Sequence, residues 1–92
     1  MDFDLILWDV PGDEPNNVEH IAEHGVTEEE VEDVLATAKD RDVTPSRSSG
    51  RPSVTGATRE GRTLFVVFDR YDEDGLIAIY PVTAYDPTDG AD

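Results

Sequence analysis

The chain has 92 residues, with 22 acidic side chains against 7 basic ones and a formal net charge of −15. That length allows one domain with one modest core, because a chain this short buries only about 60–65% of its unfolded surface. The acidity argues against nucleic acid, since phosphate binding runs on Lys and Arg.

There is no cysteine, which rules out disulfides and thiolate metal ligands and fits a reducing compartment. No apolar run approaches the roughly 20 residues of a membrane helix. The N-terminus MDFDLILWD lacks the basic segment of a signal peptide, so the expected location is the cytoplasm, with no membrane partner. Abundant Asp and Glu with a single lysine, Lys39, fits either a salt-adapted protein or an ordinary acidic surface. The cations are clustered. Arg47, Arg51, Arg59, Arg62 and Arg70 are five of the seven, and only Glu60 and Asp69 stand among them as acids. A local positive face on an acidic protein is therefore a candidate feature.

In chain order, Phe3, Leu5 and Leu7 alternate with Asp2, Asp4 and Ile6, a period of two that predicts a strand over residues 2–8. The Pro, Gly and Asn of DVPGDEPNN make a loop. Asn16 or Asn17 can cap a short helix whose Val18, Ile21 and Ala22 share one face. Gly25 directly after His24 is the expected stop. Thr27 with Glu30 three residues on is a capping box. It opens a second helix, with Val31, Val34, Leu35 and Ala38 on one stripe, running to about Lys39. Residues 40–50 read as a polar connection. Three strands follow, over PSVTGAT, TLFVVFDRY and LIAIYPVTAY, joined by the Gly-bearing turns REGR and DEDG. Pro81 marks an edge, a bulge or a strand end. The order β-α-α-β-β-β predicts an α+β fold: two helices packed on a mainly antiparallel sheet, a single domain over residues 1–86, and a flexible acidic tail over 87–92.

Residues 20–24 read HIAEH, the H-x-x-E-H spacing of one class of zinc hydrolase. The helix carrying His20, Glu23 and His24 is only about two turns long, and no downstream acid stands out as a third ligand. Helix-end histidines are the better reading, with His24 near the negative end of the dipole, and no metal or other cofactor is expected. A proton-transfer role for either histidine stays open. SRSSGRPS lacks the spacing and lysine of a phosphate loop. Ser48 and Ser49 have no adjacent base and read as loop serines.

Taken together, W-D at the end of the first strand, Asn17, EHGVTEEEVEDVL, Arg51 followed by Gly56, GRTLFVVF and IAIYPVTAY resemble the BrnT family across about residues 3–84. These are small toxins of bacterial toxin–antitoxin pairs with a RelE-like fold. The resemblance implies a metal-independent ribonuclease of the mRNA-interferase type, neutralised by a ribbon-helix-helix antitoxin. His24-Gly25-Val26 matches the family's H-G-V, Arg51 its strand-leading Arg, and Gly61-Arg62 its G-R. On that basis His24, Arg62 and Arg70 would be catalytic, while Arg51, Arg47, Tyr80 and Tyr85 would bind RNA. Cleavage without a metal needs a base, a donor for the leaving oxygen and cations around the phosphate. The chain differs from the family in having Glu23 where a Lys is usual, and no Arg in the last strand. A second reading is thus a non-catalytic module of the same fold that pairs with a small DNA-binding protein. A homodimer is compatible with either reading.

Overall fold

The computed structural model describes residues 1–88. Its elements are β1 (Leu5–Ile6), α1 (Asn17–Glu23), α2 (Glu28–Thr37), β2 (Thr44–Pro45), β3 (Pro52–Ala57), β4 (Thr63–Glu73) and β5 (Leu76–Tyr85). The five strands form one mixed sheet in the order β1-β5-β4-β3-β2. The predicted antiparallel meander of β3, β4 and β5 is its centre. No helix among the described residues is long and apolar enough to cross a membrane. Of the expected tail, residues 89–92 lie outside the described residues.

The edges differ from expectation. The first strand is only two residues long instead of spanning 2–8, and it runs parallel to β5, with Leu5 opposite Ala78 and Ile6 opposite Ile79. Two backbone bonds prolong it, from Asp4 N to Ile77 O and from Leu7 N to Ile79 O. The polar connection after α2 holds a 3₁₀ turn, Asp40–Asp42, and then β2, which pairs antiparallel with β3. Two residues show no periodicity, so such a strand leaves no pattern to read, and its Pro45 suits an outer strand. The last hairpin is tighter than DEDG suggested. Asp74 and Gly75, with φ of 54° and 80°, form a two-residue turn, so β4 continues to Glu73.

Asn16 is the N-cap of α1; its side chain accepts from Glu19 N at 3.0 Å and donates to Val10 O at 2.6 Å. Of the expected stripe, Ile21 is fully buried, Val18 is half-buried and Ala22 is exposed. The helix stops at His24, and Gly25 follows at φ 72°. The capping box of α2 is present: Glu30 N donates to Thr27 Oγ1, and Thr27 N donates to Glu30 Oε1. This helix ends at Thr37 rather than Lys39, because Ala38 is already extended at ψ 143°. Val31, Val34 and Leu35 are buried as the stripe requires.

Side chains alternate along a strand, so residues of one parity share a face. Leu64, Val66 and Phe68 of β4 join Val54, Ile79 and Ala84 in the core with Ile21 and the α2 stripe. This is the helix face. Gly56 of β3 lets α2 sit close: a Cβ there would stand 3.1 Å from Val34 Cγ1. A Gly56→Val change is expected to cost about 1–3 kcal/mol by overpacking. The check is a urea midpoint that falls while the slope stays unchanged.

Pro81 lies at a bulge. Val67 pairs with Thr83 but Phe68 pairs with Pro81, which leaves Val82 of β5 as the extra residue. The insertion inverts the parity of β5. Ile77 and Ile79 share a face with Ala84, and Tyr80 shares the opposite, open face with Tyr85.

Candidate functional site

A cleft of about 470 Å³ opens where α1 meets β5. β1 stops pairing at Ile79, and beyond it α1 packs against β5. The join is made by Asn17, whose amide Nδ2 donates to Leu7 O and to Pro81 O, each at 3.0 Å. Ile21 of α1 turns to the core, while His20 and Glu23 line the cleft. Asp69, Tyr80 and Val82 come from the sheet, Arg51 from the residue just before β3, and Glu14 and Glu19 from the loop and helix. Asp69 pairs with Tyr80 across the strands, which places both on the open face.

Arg51 and Tyr80 are each held by a carboxylate. Arg51 Nε donates to Asp69 Oδ1 at 3.0 Å. Tyr80 donates its hydroxyl proton to Asp9 Oδ2 at 2.5 Å, and Asp9 Oδ2 also accepts from Asn17 N. The hydrogen bond to Asp9, with burial second, pushes the Tyr80 phenol up to about 12. Tyr80 is therefore a weak acid, committed as a donor to a carboxylate. The unfolded phenol titrates near 10. Its contribution to stability is complete below pH 10 and is lost as pH rises from about 10 through 12. Phenolate absorbance of the folded protein should show one component rising near 12 that is missing in Tyr80→Phe. A Tyr80 that ionises near 10 would contradict the Asp9 bond.

The predicted cationic face does not assemble. Arg62 immediately precedes β4 and Arg70 lies within it, an even number of residues on; Arg62 reaches Gly25 and Glu30 on the helix side, and the register puts Arg70 on the same face. Eight residues of extended chain separate them, about 26 Å at roughly 3.3 Å per residue. Arg51 serves the open face. Arg62 Nη1 donates to Gly25 O at 2.8 Å and meets Glu30 at 3.1 Å, while its Nε meets Asp86 at 3.4 Å. The hydrogen bond with Glu30 holds its guanidinium above its ordinary pKa. Asp86 lies below the usual carboxylate range, through bonds from Thr88 first and Arg62 second. Arg59 pairs with Asp33 at 3.4 Å and Arg70 with Asp72 at 3.7 Å. Arg47 is exposed in the loop after β2, with no ion pair among the described residues.

The tyrosines and histidines fall into two groups. His24 contacts Tyr85 at a ring separation of 5.9 Å, and Tyr85 contacts Phe65 at 5.3 Å. Tyr80 lies in the cleft, and the histidine beside it is His20 rather than the expected His24. The two imidazoles meet edge to face at 5.3 Å. No cluster of three or more His, Cys, Asp or Glu placed to hold a metal ion occurs among the described residues, so H-x-x-E-H does not gather a ligand set. Sequence reasoning missed Asp9 and Asp69, the carboxylates that engage Tyr80 and Arg51. Asp9 sits in the W-D motif that ends the first strand, and that position was its one signal.

What the cleft can do follows from its charges. Exposed ion pairs are worth only about 0–1 kcal/mol, so pairing alone would not withhold Arg51 from a phosphate. The surroundings do. Glu14, Glu19, Glu23 and Asp69 line the same cleft against one guanidinium. A concave site lined by one sign of charge focuses that sign, here a negative potential that favours cations. Compared with known protein families, curated proteins and solved structures, the chain matches none.

Proposed function

We propose that this chain is a BrnT-like binding module that pairs with a small, basic, DNA-binding protein and does not itself cut RNA. The observation that carries this reading is the fate of the arginines. Arg51, Arg59, Arg62 and Arg70 each face a carboxylate, and they are divided between two faces of the sheet. RNA cleavage without a metal needs several cations converging on one phosphate. A net charge of −15 instead suits a cationic protein partner, whose approach it would speed. The resemblance over residues 3–84 supplies the partner class, a ribbon-helix-helix protein.

One observation favours the ribonuclease reading as a second choice. His20, Arg51 and Tyr80 line a single cleft, which brings a base, a phosphate ligand and a phenol together. In that mechanism His20 would take the 2′-hydroxyl proton and Arg51 would leave Asp69 for the phosphate. Induced expression in a bacterial host separates the two. The binding reading expects unimpaired growth for the wild type and for His20→Ala and Arg51→Ala alike. Growth arrest by the wild type that either substitution relieves would establish the ribonuclease instead.

A further inference from the structure

The open face carries a second feature, away from the cleft floor. Beyond Asp69 the β4–β5 hairpin extends with Tyr71 opposite Ala78 and Glu73 opposite Leu76, and Leu5 of β1 lies beside Ala78. These residues share one face by register. Leu5, Tyr71 and Leu76 are 41%, 53% and 57% exposed, which is high for large apolar side chains so near one another. Together with Leu7 and Ala78 they line a shallow groove that ends at Tyr80. α2 lies on the other face, and α1 packs farther along β5. A contiguous apolar patch of this kind, left open on a small soluble fold, marks an interaction site more often than chance exposure.

Charge selects the occupant. Glu73 and Asp74 line the outer end of the groove. Asp9 and Asp69 flank Tyr80 at its inner end. No Lys or Arg lines it among the described residues. A second copy of the chain would set a charge of −15 against another −15 and bring two sets of these carboxylates together. An amphipathic segment with an apolar stripe between lysines or arginines satisfies both the floor and the rim. We infer that the groove of Leu5, Leu7, Tyr71, Leu76 and Ala78 docks a basic amphipathic segment of a partner protein. This rests on the binding reading above and locates its contact surface.

The test uses two probes on the full chain: a helical peptide with one leucine face and one lysine face, and an oligolysine of equal charge. The wild type is expected to bind the first more tightly than the second. The double variant Leu76→Ser with Tyr71→Ser, neutral in charge and outside the core, should weaken the first at least ten-fold and leave oligolysine unchanged. Leu5→Ser on the neighbouring strand is an independent variant with the same expected direction. Glu73→Gln should weaken the leucine–lysine peptide several-fold at low salt and less at high salt. Sedimentation should show a wild-type monomer. Unchanged affinity in both serine variants would overturn the groove while leaving the binding reading intact. Failure of the wild type to bind either peptide would overturn both. A wild-type dimer that the serine variants dissociate would assign the groove to a second copy instead.

Discussion

Replacing Phe68 with alanine is expected to remove about 3–5 kcal/mol of folding stability. Phe68 heads the fully buried side chains by volume and is 1% exposed. It stands on the helix face of the central strand, within the cluster that holds Ile21, Leu35, Leu64 and Ile79. The loss combines the transfer of a whole ring with the cavity left behind, since a residue paired with Pro81 of β5 and enclosed by the core cluster has little freedom to collapse inward. Domains of this size are commonly stable by only about 5–15 kcal/mol, so one substitution removes much of the margin. The thermal midpoint should fall by roughly 20 °C at constant salt. A fall of only a few degrees would mean that the core does not close around this ring.

Asn17→Ala is expected to cost about 2–4 kcal/mol, a large effect for a small polar side chain. Asn17 is 3% exposed. Its Oδ1 accepts from Asp9 N at 2.9 Å, and its Nδ2 donates to Leu7 O and Pro81 O. One amide thus joins the end of the first strand, the start of α1 and the bulged strand. Alanine would leave buried carbonyl oxygens without a donor, and an unpaired buried polar group costs about 1–3 kcal/mol. Asn17→Asp keeps the shape but removes both N–H donors and sets a carboxylate against two carbonyls. It should be at least as damaging near neutral pH. An Asn17→Asp protein as stable as the wild type would show that these bonds contribute nothing.

The same residues mark how far the sequence could be read. The capping box at Thr27 and Glu30 and the stripe from Val31 to Ala38 are local signals, each set within a few positions, and each appears where its chemistry requires; the DEDG turn is local too, although Asp72 and Glu73 prove to be strand and only Asp74 and Gly75 turn. What escaped depends on contacts distant in sequence. β2 is too short for periodicity. The parallel pairing of β1 is fixed by residues more than seventy positions away. The site suffered most. Arg62 and Arg70 do share a face, as alternation required, yet strand length separates them. Arg51 was placed with them but belongs to the opposite face. Pro81 hinted at an irregularity, but only the register reveals that Val82 is inserted and that Tyr80 and Tyr85 consequently lie on one face. Ion pairs are equally invisible. The sequence places Glu30 far from Arg62 and Asp69 far from Arg51, and the fold joins each couple within about a hydrogen bond's reach.

Incubation of the purified chain with end-labelled RNA, at low and at high salt, tests the central claim most directly. The dispersed arginines and the acid-lined cleft predict RNA that stays intact at every salt concentration, in wild type and in His20→Ala alike. Cleavage by the wild type, without added metal and abolished by His20→Ala or Arg51→Ala, would contradict it.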